Sequence, residues 1–379
     1  MMHSTFQNEK KTDEIDQIDN LIKIPPYSLN YSEKNEILLP IIKNQVSQAS
    51  SNIHIQSMFN KLNVNIQDIF SLENIPIIPV QMFKKFDLSI CPEKDIIRTV
   101  RSSGTTGQQA SRIPLNKNTA FRQTKALASI LSDYLGSKRR ILLIIDHDGM
   151  NKPEKQITAR SAGIRGLSIY SKKIYYLLKE EKNGKLQLNI DAINEVIKNH
   201  SNEEVFVFGF TYIIWSEFVK KIKDKNIKFK FKDVKIFHSG GWKKMIDEAV
   251  TKKRFSDETA KIFNTSAKNV YDFYGMAEQT GVIFVDCEYG NKHVPNFAKV
   301  IIRDFLTQEP CNLGETGLIE VMSILSDSYY SQAILTEDTG YLIGVDDCPC
   351  GRKGEYFRFK KRIEKAEIRG CGDTFKEKL

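Results

Sequence analysis

A dense run of hydroxyl-bearing residues and glycines in the first third of the chain could bind phosphate. The run is Ser102, Ser103, Gly104, Thr105, Thr106 and Gly107. Glycine allows backbone conformations that are closed to other residues, and the hydroxyl and backbone N–H groups of such a loop can donate hydrogen bonds to phosphoryl oxygens. Residues 96–100 have strand-like composition, so we expect the run to be a loop that leaves a strand. It indicates an enzyme that handles a nucleotide.

Two other interpretations of this run have to be weighed. It does not match the Gly-x-x-x-x-Gly-Lys-Ser/Thr loop of P-loop NTPases, because no lysine follows Gly107 and the two glycines are too close together. Runs of serine, threonine and glycine also form ordinary surface loops that bind no ligand. Other segments must therefore distinguish a phosphate loop from a plain one.

Two later segments carry side chains that could contact a nucleotide. Beside Gly275, Tyr274 could cover a flat ring, and Glu278 could ligate magnesium at a phosphate. Asp338 stands in a turn before Gly340 and could accept hydrogen bonds from ribose hydroxyls. Each segment also has a structural interpretation, namely a strand and turn with a solvated glutamate, and a turn-forming aspartate.

Three cysteines and one histidine could form a metal site. Cys287 and His293 are separated by five residues, and Cys348 and Cys350 lie in a tight Cys-Pro-Cys turn. Three sulfurs and one imidazole make a closed tetrahedral set that suits structural Zn²⁺. The spacing in the turn is shorter than Cys-x-x-Cys, and the alternative is a turn with two buried thiols and a histidine bonded to a backbone carbonyl.

The composition limits the class of protein. At 379 residues the chain is long enough for one large α/β unit or two domains. The net charge is +9, but the basic residues alternate with acids and no nucleic-acid module is recognisable, so we expect nucleotide substrates and no nucleic-acid partner. We expect a cytoplasmic protein without a membrane span, because no apolar N-terminal segment or long apolar run occurs. Six cysteines are too few for a disulfide framework at this length.

Short apolar strands that alternate with helices predict an α/β fold with a mainly parallel sheet. We expect a mobile arm over about the first twenty residues, and Asn118 as the cap of the third helix. The helices are predicted at 32–49, 53–62, 118–135 and 213–223, and the strands at 96–100, 140–145, 204–210 and 234–238. Ligands of such sheets bind beyond the carboxyl ends of the strands. Gly240 and Gly241 follow the last of these strands and are therefore expected near the ligand.

Taken in order, these segments resemble the motifs of acyl-adenylate-forming enzymes, including phenylacetate-CoA ligase-like proteins. The chain most resembles the acyl-protein synthetase family, typified by the LuxE component of bacterial fatty acid reductase. The resemblance covers nearly everything after about residue 60 and rests on 102–107, 238–243, 274–278, 292–295, 336–340, 361–363 and 366–371. It implies an adenylate-forming fold with a helical arm and lead-in at 1–95, a core at 96–361, and a short tail at 362–379 in place of most of a C-terminal domain.

The resemblance also implies a reaction, in which a fatty or other carboxylic acid attacks the α-phosphorus of ATP and pyrophosphate leaves. Metal and cationic donors are needed because negative charge repels the attacking carboxylate and grows on the leaving group. The resemblance implies that Ser102 to Gly107 bind the ATP phosphates and that Gly240 and Gly241 lie against adenine or the acyl-adenylate. It implies that Tyr274, with Gly275, stacks near adenine and that Glu278 holds Mg²⁺. Asp338 would bind the ribose, and Arg362 would contact the nucleotide at the hinge. Some phenylacetate-CoA ligase-like proteins show a similar Cys, His and Cys-x-Cys set.

Two departures from the superfamily pattern refine this expectation. Ala277 stands where most adenylating enzymes carry threonine; fatty acyl-AMP ligases also carry alanine there, which favours a long aliphatic acyl group. Only residues 363–379 follow Arg362, where typical members have a mobile domain with a catalytic lysine. The usual lysine cannot be assigned, and Lys376 and Lys378 are candidates without positional support.

The tail contains the candidate acyl acceptor. In the acyl-protein synthetase family a cysteine near the C-terminus takes the acyl group as a thioester and passes it to a reductase partner, and Cys371 matches that position. Lys365 and Arg369 would favour its thiolate. Alternatives are an idle tail cysteine, a ligase that passes the acyl group to coenzyme A or an amine in surface polysaccharide or lipid synthesis, and a non-catalytic nucleotide-binding subunit of a reductase complex.

Overall fold

The computed structural model describes residues 17–102, 110–151, 157–225, 227–242 and 248–363. The strands are β1 Ile78–Pro79, β2 Ile96–Arg101, β3 Arg112–Asn116, β4 Arg140–Ile145, β5 Ile157–Thr158, β6 Ser171–Tyr176, β7 Leu178–Glu180, β8 Leu186–Leu188, β9 Glu204–Phe210, β10 Asp233–Ser239, β11 Val270–Tyr274, β12 Phe284–Val285, β13 Lys292–His293, β14 Ala298–Arg303, β15 Gly317–Ser323, β16 Ile334–Val345 and β17 Glu355–Arg362. The α-helices after residue 23 are Tyr31–Ala49, Ile53–Lys61, Met82–Lys85, Lys117–Leu135, Ala159–Ser168, Ile190–Asn199, Thr211–Ile213, Lys220–Ile222 and Lys252–Ile262.

Sheet I has the strand order β12-β11-β10-β9-β4-β6 and is parallel except for β12. All six residues of β4 are buried. Leu142 and Ile144 pack into one core and Ile141, Leu143 and Ile145 into a second, because side chains alternate between the faces of a strand. A strand buried on both faces is what a continuous apolar run predicts, and the expected α/β fold is confirmed.

Sheet II has the order β13-β17-β16-β15-β14 and is antiparallel, with β1 added in parallel to β16. Ile78 pairs with Ile334 and Pro79 with Leu335 in this addition. A second large sheet, antiparallel, was not predicted from the sequence. The domain boundary at residue 95 stays a prediction, although the lead-in before it contributes a strand to sheet II.

Two local predictions are wrong. The prediction of a mobile arm fails for residues 17–20, since they are helical and Ile18 is fully buried; residues 1–16 lie outside the described chain. Asn116, rather than Asn118, caps the helix Lys117–Leu135, because Asn116 is extended and its Oδ1 accepts from the backbone of Thr119 at 2.8 Å. The helix predicted at 213–223 is confirmed, although it begins at Thr211 and includes a π-helical turn at Ile214–Val219. Across the described parts of the chain, no helix is long and apolar enough to cross a membrane.

Candidate active site

Three residues that the sequence analysis assigned to the nucleotide meet where sheets I and II adjoin. Tyr274 is the last residue of β11, and Asp338 and Arg362 are paired in the register of β16 and β17. The prediction that Asp338 stands in a turn is wrong, because it lies within β16 and is paired there with β17. The Tyr274 hydroxyl donates to Asp338 Oδ2 at 2.9 Å, while Arg362 Nε donates to Asp338 Oδ1 at 2.9 Å. Burial, and next the Asp338 carboxylate, raise the pKa of Tyr274 well above its ordinary value, so the phenol stays protonated. Asp338 is thereby held in one orientation by two donors.

The ring of Tyr274 belongs to an aromatic group. It stacks on Phe284 at a centroid distance of 6.0 Å and on Phe359 at 5.7 Å, and it meets Phe357 edge-on. Phe284 and Phe357 are buried, whereas Phe359 is 38% exposed. Phe359 is therefore the ring of this group that a ligand can reach. Sequence analysis missed it, although Phe357 and Phe359 alternate with polar residues in β17.

Glu278 lies in a short 3-10 turn that follows Gly275. It is 6% exposed, and burial raises the pKa of its carboxyl group. The Ser111 hydroxyl and the charges of Lys84 and Arg362 act in the opposite direction and favour the carboxylate. Ser111 Oγ forms no hydrogen bond of ordinary geometry among the described residues, so its effect is that of a nearby dipole. A buried carboxylate offers oxygen ligands of the kind that Mg²⁺ prefers, and a bound ion would favour its charged form.

The base of the candidate phosphate loop lies beside this carboxylate. Ser102 follows β2, as the sequence predicted, and its Oγ accepts from the backbone N–H of Ser111 at 3.0 Å. This bond holds together the two ends of the loop, and Ser111 in turn adjoins Glu278. The remaining predicted residues, Ser103, Gly104, Thr105, Thr106 and Gly107, lie outside the described residues, and their contact with phosphate stays a prediction.

Gly240 and Gly241 follow β10 at the carboxyl end of sheet I. Ser239 pairs with Phe273, which places the two glycines next to the strand end that carries Tyr274. Gly240 has φ +81°, and a Cβ there would lie 3.3 Å from Phe210 Cδ1. A side chain at this position would be both strained and crowded. The predicted location is confirmed, whereas contact with adenine stays a prediction.

A buried polar group supports the same sheet edge, and the sequence analysis used its residues only for the family resemblance. His238 Nδ1 lies 2.9 Å from the Thr211 hydroxyl, and burial lowers the pKa of His238 to about 4, so the ring is neutral. Lys292 Nζ donates to Asp272 at 2.8 Å and to Asp286 at 3.2 Å. These contacts connect β10, β11 and β13, and no single segment of sequence shows them.

The four predicted metal ligands converge. Their ligand atoms, from Cys287, His293, Cys348 and Cys350, all lie within 4.8 Å of one another.

Cys371 lies outside the described residues, so its role as acyl acceptor stays a prediction.

Comparison with known proteins identifies the family. The family described as "Acyl-protein synthetase, LuxE" matches residues 2–379. The chain is 22% identical over 379 residues to a long-chain-fatty-acid–luciferin-component ligase of Aliivibrio fischeri, covering 97% of this chain and 96% of that protein. It is 20% identical over 361 residues to the enzyme of the same name from Vibrio harveyi, covering 94% and 92%.

A solved structure shows the same fold. It is an open conformation of 2-hydroxyisobutyryl-CoA ligase in complex with 2-HIB-AMP and CoA, with a TM-score of 0.65 and 14% identity over 90% of this chain and 80% of that one. The fold of the present chain is thus that of adenylate-forming ligases. From the match along its whole length and from this fold, the chain belongs to the LuxE family of acyl-protein synthetases, which are ligases.

Proposed function

We propose that this protein activates a long-chain fatty acid as an acyl-adenylate and then carries the acyl group on Cys371 for a partner acyl reductase. The observation that supports nucleotide activation best is the convergence of Tyr274, Asp338 and Arg362 at the carboxyl end of sheet I. Each comes from a different strand, and together they present an oriented carboxylate, an exposed cation and an aromatic surface. Such groups suit the ribose, a phosphate and the base of ATP.

In the first step, a carboxylate oxygen of the acid attacks the α-phosphorus, the bond to the β-phosphate breaks, and pyrophosphate leaves. Glu278 is suited to hold Mg²⁺, because its carboxyl group is buried and oxygen ligands are those that Mg²⁺ prefers. The ion would neutralise charge on the leaving pyrophosphate. Besides such an ion, the positive charge of Lys84 acts on Glu278 and lowers the pKa of its carboxyl group.

The position of Lys84 is fixed by packing against sheet II. Its short helix, Met82–Lys85, directly follows β1, and the preceding Gln81 donates to Glu337 Oε1 at 2.5 Å. Phe83 of the same helix packs edge-on against Tyr329 at 6.0 Å. We therefore infer that Lys84 supplies part of the positive charge that a C-terminal-domain lysine supplies in other adenylating enzymes.

In the second step, a thiolate attacks the acyl carbonyl carbon, the bond to the phosphate oxygen breaks, and AMP leaves. The names of the curated relatives, ligases of a long-chain fatty acid and a luciferin component, support a fatty acid substrate. The description of the family as acyl-protein synthetase supports a protein-bound product. Cys371 is the proposed nucleophile because of its position in the family motif. A ligase that passes the acyl group to coenzyme A or to an amine is the second candidate, supported by the structural likeness to a CoA ligase.

Intact-protein mass spectrometry tests this function. Wild type, Cys371→Ser and the control Cys311→Ser are incubated with ATP, Mg²⁺ and a mixture of fatty acids, and pyrophosphate is measured in parallel. A hydroxylamine-labile acyl adduct on wild type and on the control, but not on Cys371→Ser, is expected.

Pyrophosphate release without any adduct would remove Cys371 from the mechanism and favour a diffusible acceptor. Absence of both signals would indicate a non-catalytic nucleotide-binding subunit.

A further inference from the structure

We propose that Cys287, His293, Cys348 and Cys350 bind one Zn²⁺ ion, and that this ion fastens sheet I to sheet II. The proposal is independent of the acyl-transfer function above. It rests on the geometry of the four side chains, on the amide donor beside their sulfurs, and on where the ligands lie in the two sheets.

The separations of the ligand atoms fit one tetrahedral ion. Cys287 Sγ and Cys348 Sγ are 3.9 Å apart, and Cys350 Sγ is 3.2 Å from His293 Nε2. Bonds of about 2.3 Å to sulfur place the corners of a tetrahedron roughly 3.8 Å apart. The sulfur separation is nearly twice the length of a disulfide bond, about 2.05 Å, and the three cysteines are free.

A side-chain amide lies beside the sulfur atoms. Asn291 Nδ2 is 3.5 Å from Cys348 Sγ, and the backbone N–H of Cys287 donates to the Asn291 carbonyl at 2.8 Å, which holds Asn291 next to the cluster. Such an outer donor stabilises a thiolate ligand and fixes its orientation, as is usual around metal centres.

The histidine is held by its ring and not by a carbonyl. Tyr356 stacks on His293 at a centroid distance of 5.4 Å, and Tyr27 meets it edge-on at 5.9 Å. Nδ1 is buried and has no hydrogen-bond partner among the described residues, so the alternative of a carbonyl-bonded histidine is wrong. Nε2 is the atom that faces the cysteines.

The ligands come from both sheets. Cys287 lies just after β12 at the edge of sheet I, and His293 is in β13 of sheet II; the hairpin that joins them is closed by the bridge between Asp286 and Lys292. Cys348 and Cys350 lie in the turn between β16 and β17. One ion would therefore tie the crossover between the sheets to the turn of the longest hairpin in sheet II.

The distance from the nucleotide residues makes this centre structural. Along β16, Asp338 and Val345 are seven residues apart, which corresponds to roughly 23 Å at about 3.3 Å per residue. The ion would thus act at one end of the strands whose other end carries Asp338 and Arg362. Three sulfurs and one nitrogen also leave no open position for a substrate.

Other contacts cross the same junction, so loss of the ion should weaken the structure without unfolding it entirely. Arg352, in the same turn, pairs with Asp133 at 2.6 Å and with Glu288 at 3.4 Å. On the side of sheet II, the helix Tyr31–Ala49 also holds β17 through a fully buried ion pair of Lys34 with Glu355 at 2.6 Å.

The test measures metal content, ligand chemistry and local stability on the full-length wild-type chain, on Cys287→Ser, and on the matched control Cys311→Ser. We expect one equivalent of Zn²⁺ by elemental analysis in wild type and control. Replacement by Co²⁺ should give the visible bands of a tetrahedral site and the thiolate charge-transfer bands. Cys287→Ser should lose at least about tenfold in metal affinity, and its melting temperature should fall by on the order of 10 °C.

Hydrogen exchange localises the effect. Removal of the ion should accelerate exchange in both 286–293 and 346–355. If wild type contains no metal, binds no Co²⁺ and has thiols that react freely, the site is overturned. If metal binds but its removal changes exchange in only one of the two segments, the fastening of the two sheets is overturned. The Co²⁺ spectrum of wild type decides the ligand set even if Cys287→Ser fails to fold.

Discussion

Arg362 reaches both carboxylate oxygens of Asp338, with Nε 2.9 Å from Oδ1 and Nη2 3.3 Å from Oδ2. The two residues are directly opposite each other in β16 and β17. Two-pronged contacts of this kind fix direction as well as charge. The lone pairs that remain on Asp338 therefore have a fixed direction. The guanidinium group of Arg362 stays at the surface.

Substitution of the carboxylate should weaken nucleotide binding. Asp338→Asn removes a charged acceptor worth about 1.5–3 kcal/mol, so we expect the KM for ATP to rise about 10- to 100-fold. Pyrophosphate release at fixed fatty acid measures this. Asp257→Asn, on an exposed helix face, is the matched control. An unchanged KM in Asp338→Asn would mean that the carboxylate serves only to hold Arg362.

The exposed ring of the aromatic group should contact adenine. Phe359→Ala removes a stacking surface worth about 0.5–1.5 kcal/mol, so the KM for ATP should rise about 2- to 10-fold; kcat should change little. Phe359→Tyr should restore binding. Phe305→Ala, which removes another exposed phenylalanine, is the control. Loss of kcat with an unchanged KM would contradict a base contact.

The buried carboxylate of Glu278 predicts a pH dependence of stability. Burial raises its pKa above the ordinary 4.5, so the folded state holds this proton more tightly than the unfolded state. The stability from this group is present below about pH 4.5 and is lost as the pH rises through the folded pKa. Glu278→Gln mimics the protonated form, and its free energy of unfolding should gain on that of wild type as the pH rises.

Urea unfolding without Mg²⁺ between pH 4.5 and 8 measures this difference, with the exposed Glu309→Gln as control. If the free energies of unfolding of variant and wild type change in parallel with pH, the carboxyl group is not desolvated.

The same Glu278→Gln protein should release pyrophosphate at least about 100-fold more slowly, because a charged ligand at the reacting phosphates is lost.

The charge of Lys84 should assist departure of pyrophosphate. Lys84→Ala should lower kcat for adenylation about tenfold or more while leaving the melting temperature close to that of wild type. Lys85→Ala changes the next residue of the same short helix, and it should be neutral because the Lys85 side chain is exposed. Equal effects of the two substitutions would assign the loss to the helix and not to the charge.

The strands that could be predicted from the sequence are those that are buried on both faces. β4 and β9 were predicted with the bounds that the structure has, because strands buried on both faces are continuous apolar runs. Sheet II was missed because its buried positions include charged residues. Arg303 in β14 is buried because Glu320 in β15 pairs with it at 2.6 Å and two backbone carbonyls, of Gln308 and Glu73, accept from its guanidinium group. Local composition does not reveal such a partner.

For the site, motif order brought together residues that fold next to one another, but contacts between distant strands stayed hidden. Asp338 and Arg362 were both assigned to the nucleotide, yet their pairing depends on two register shifts along β16 and β17. Phe359 was missed because it belongs to none of the quoted motifs, and its exposure follows from the packing of Phe284 and Phe357. The cysteine and histidine cluster could be predicted because cysteine and histidine are typical metal ligands and are recognised from residue type alone.

The parallel addition of β1 to β16 has a consequence for how the chain folds during synthesis. Ile78 can pair with Ile334 only after that residue has been synthesised, much later than Ile78 itself. Contacts so distant in sequence slow folding and leave apolar segments uncovered in the meantime. The lead-in around residues 75–90 is thus a part of this protein that a nascent-chain chaperone would shield until the strands of sheet II have been made.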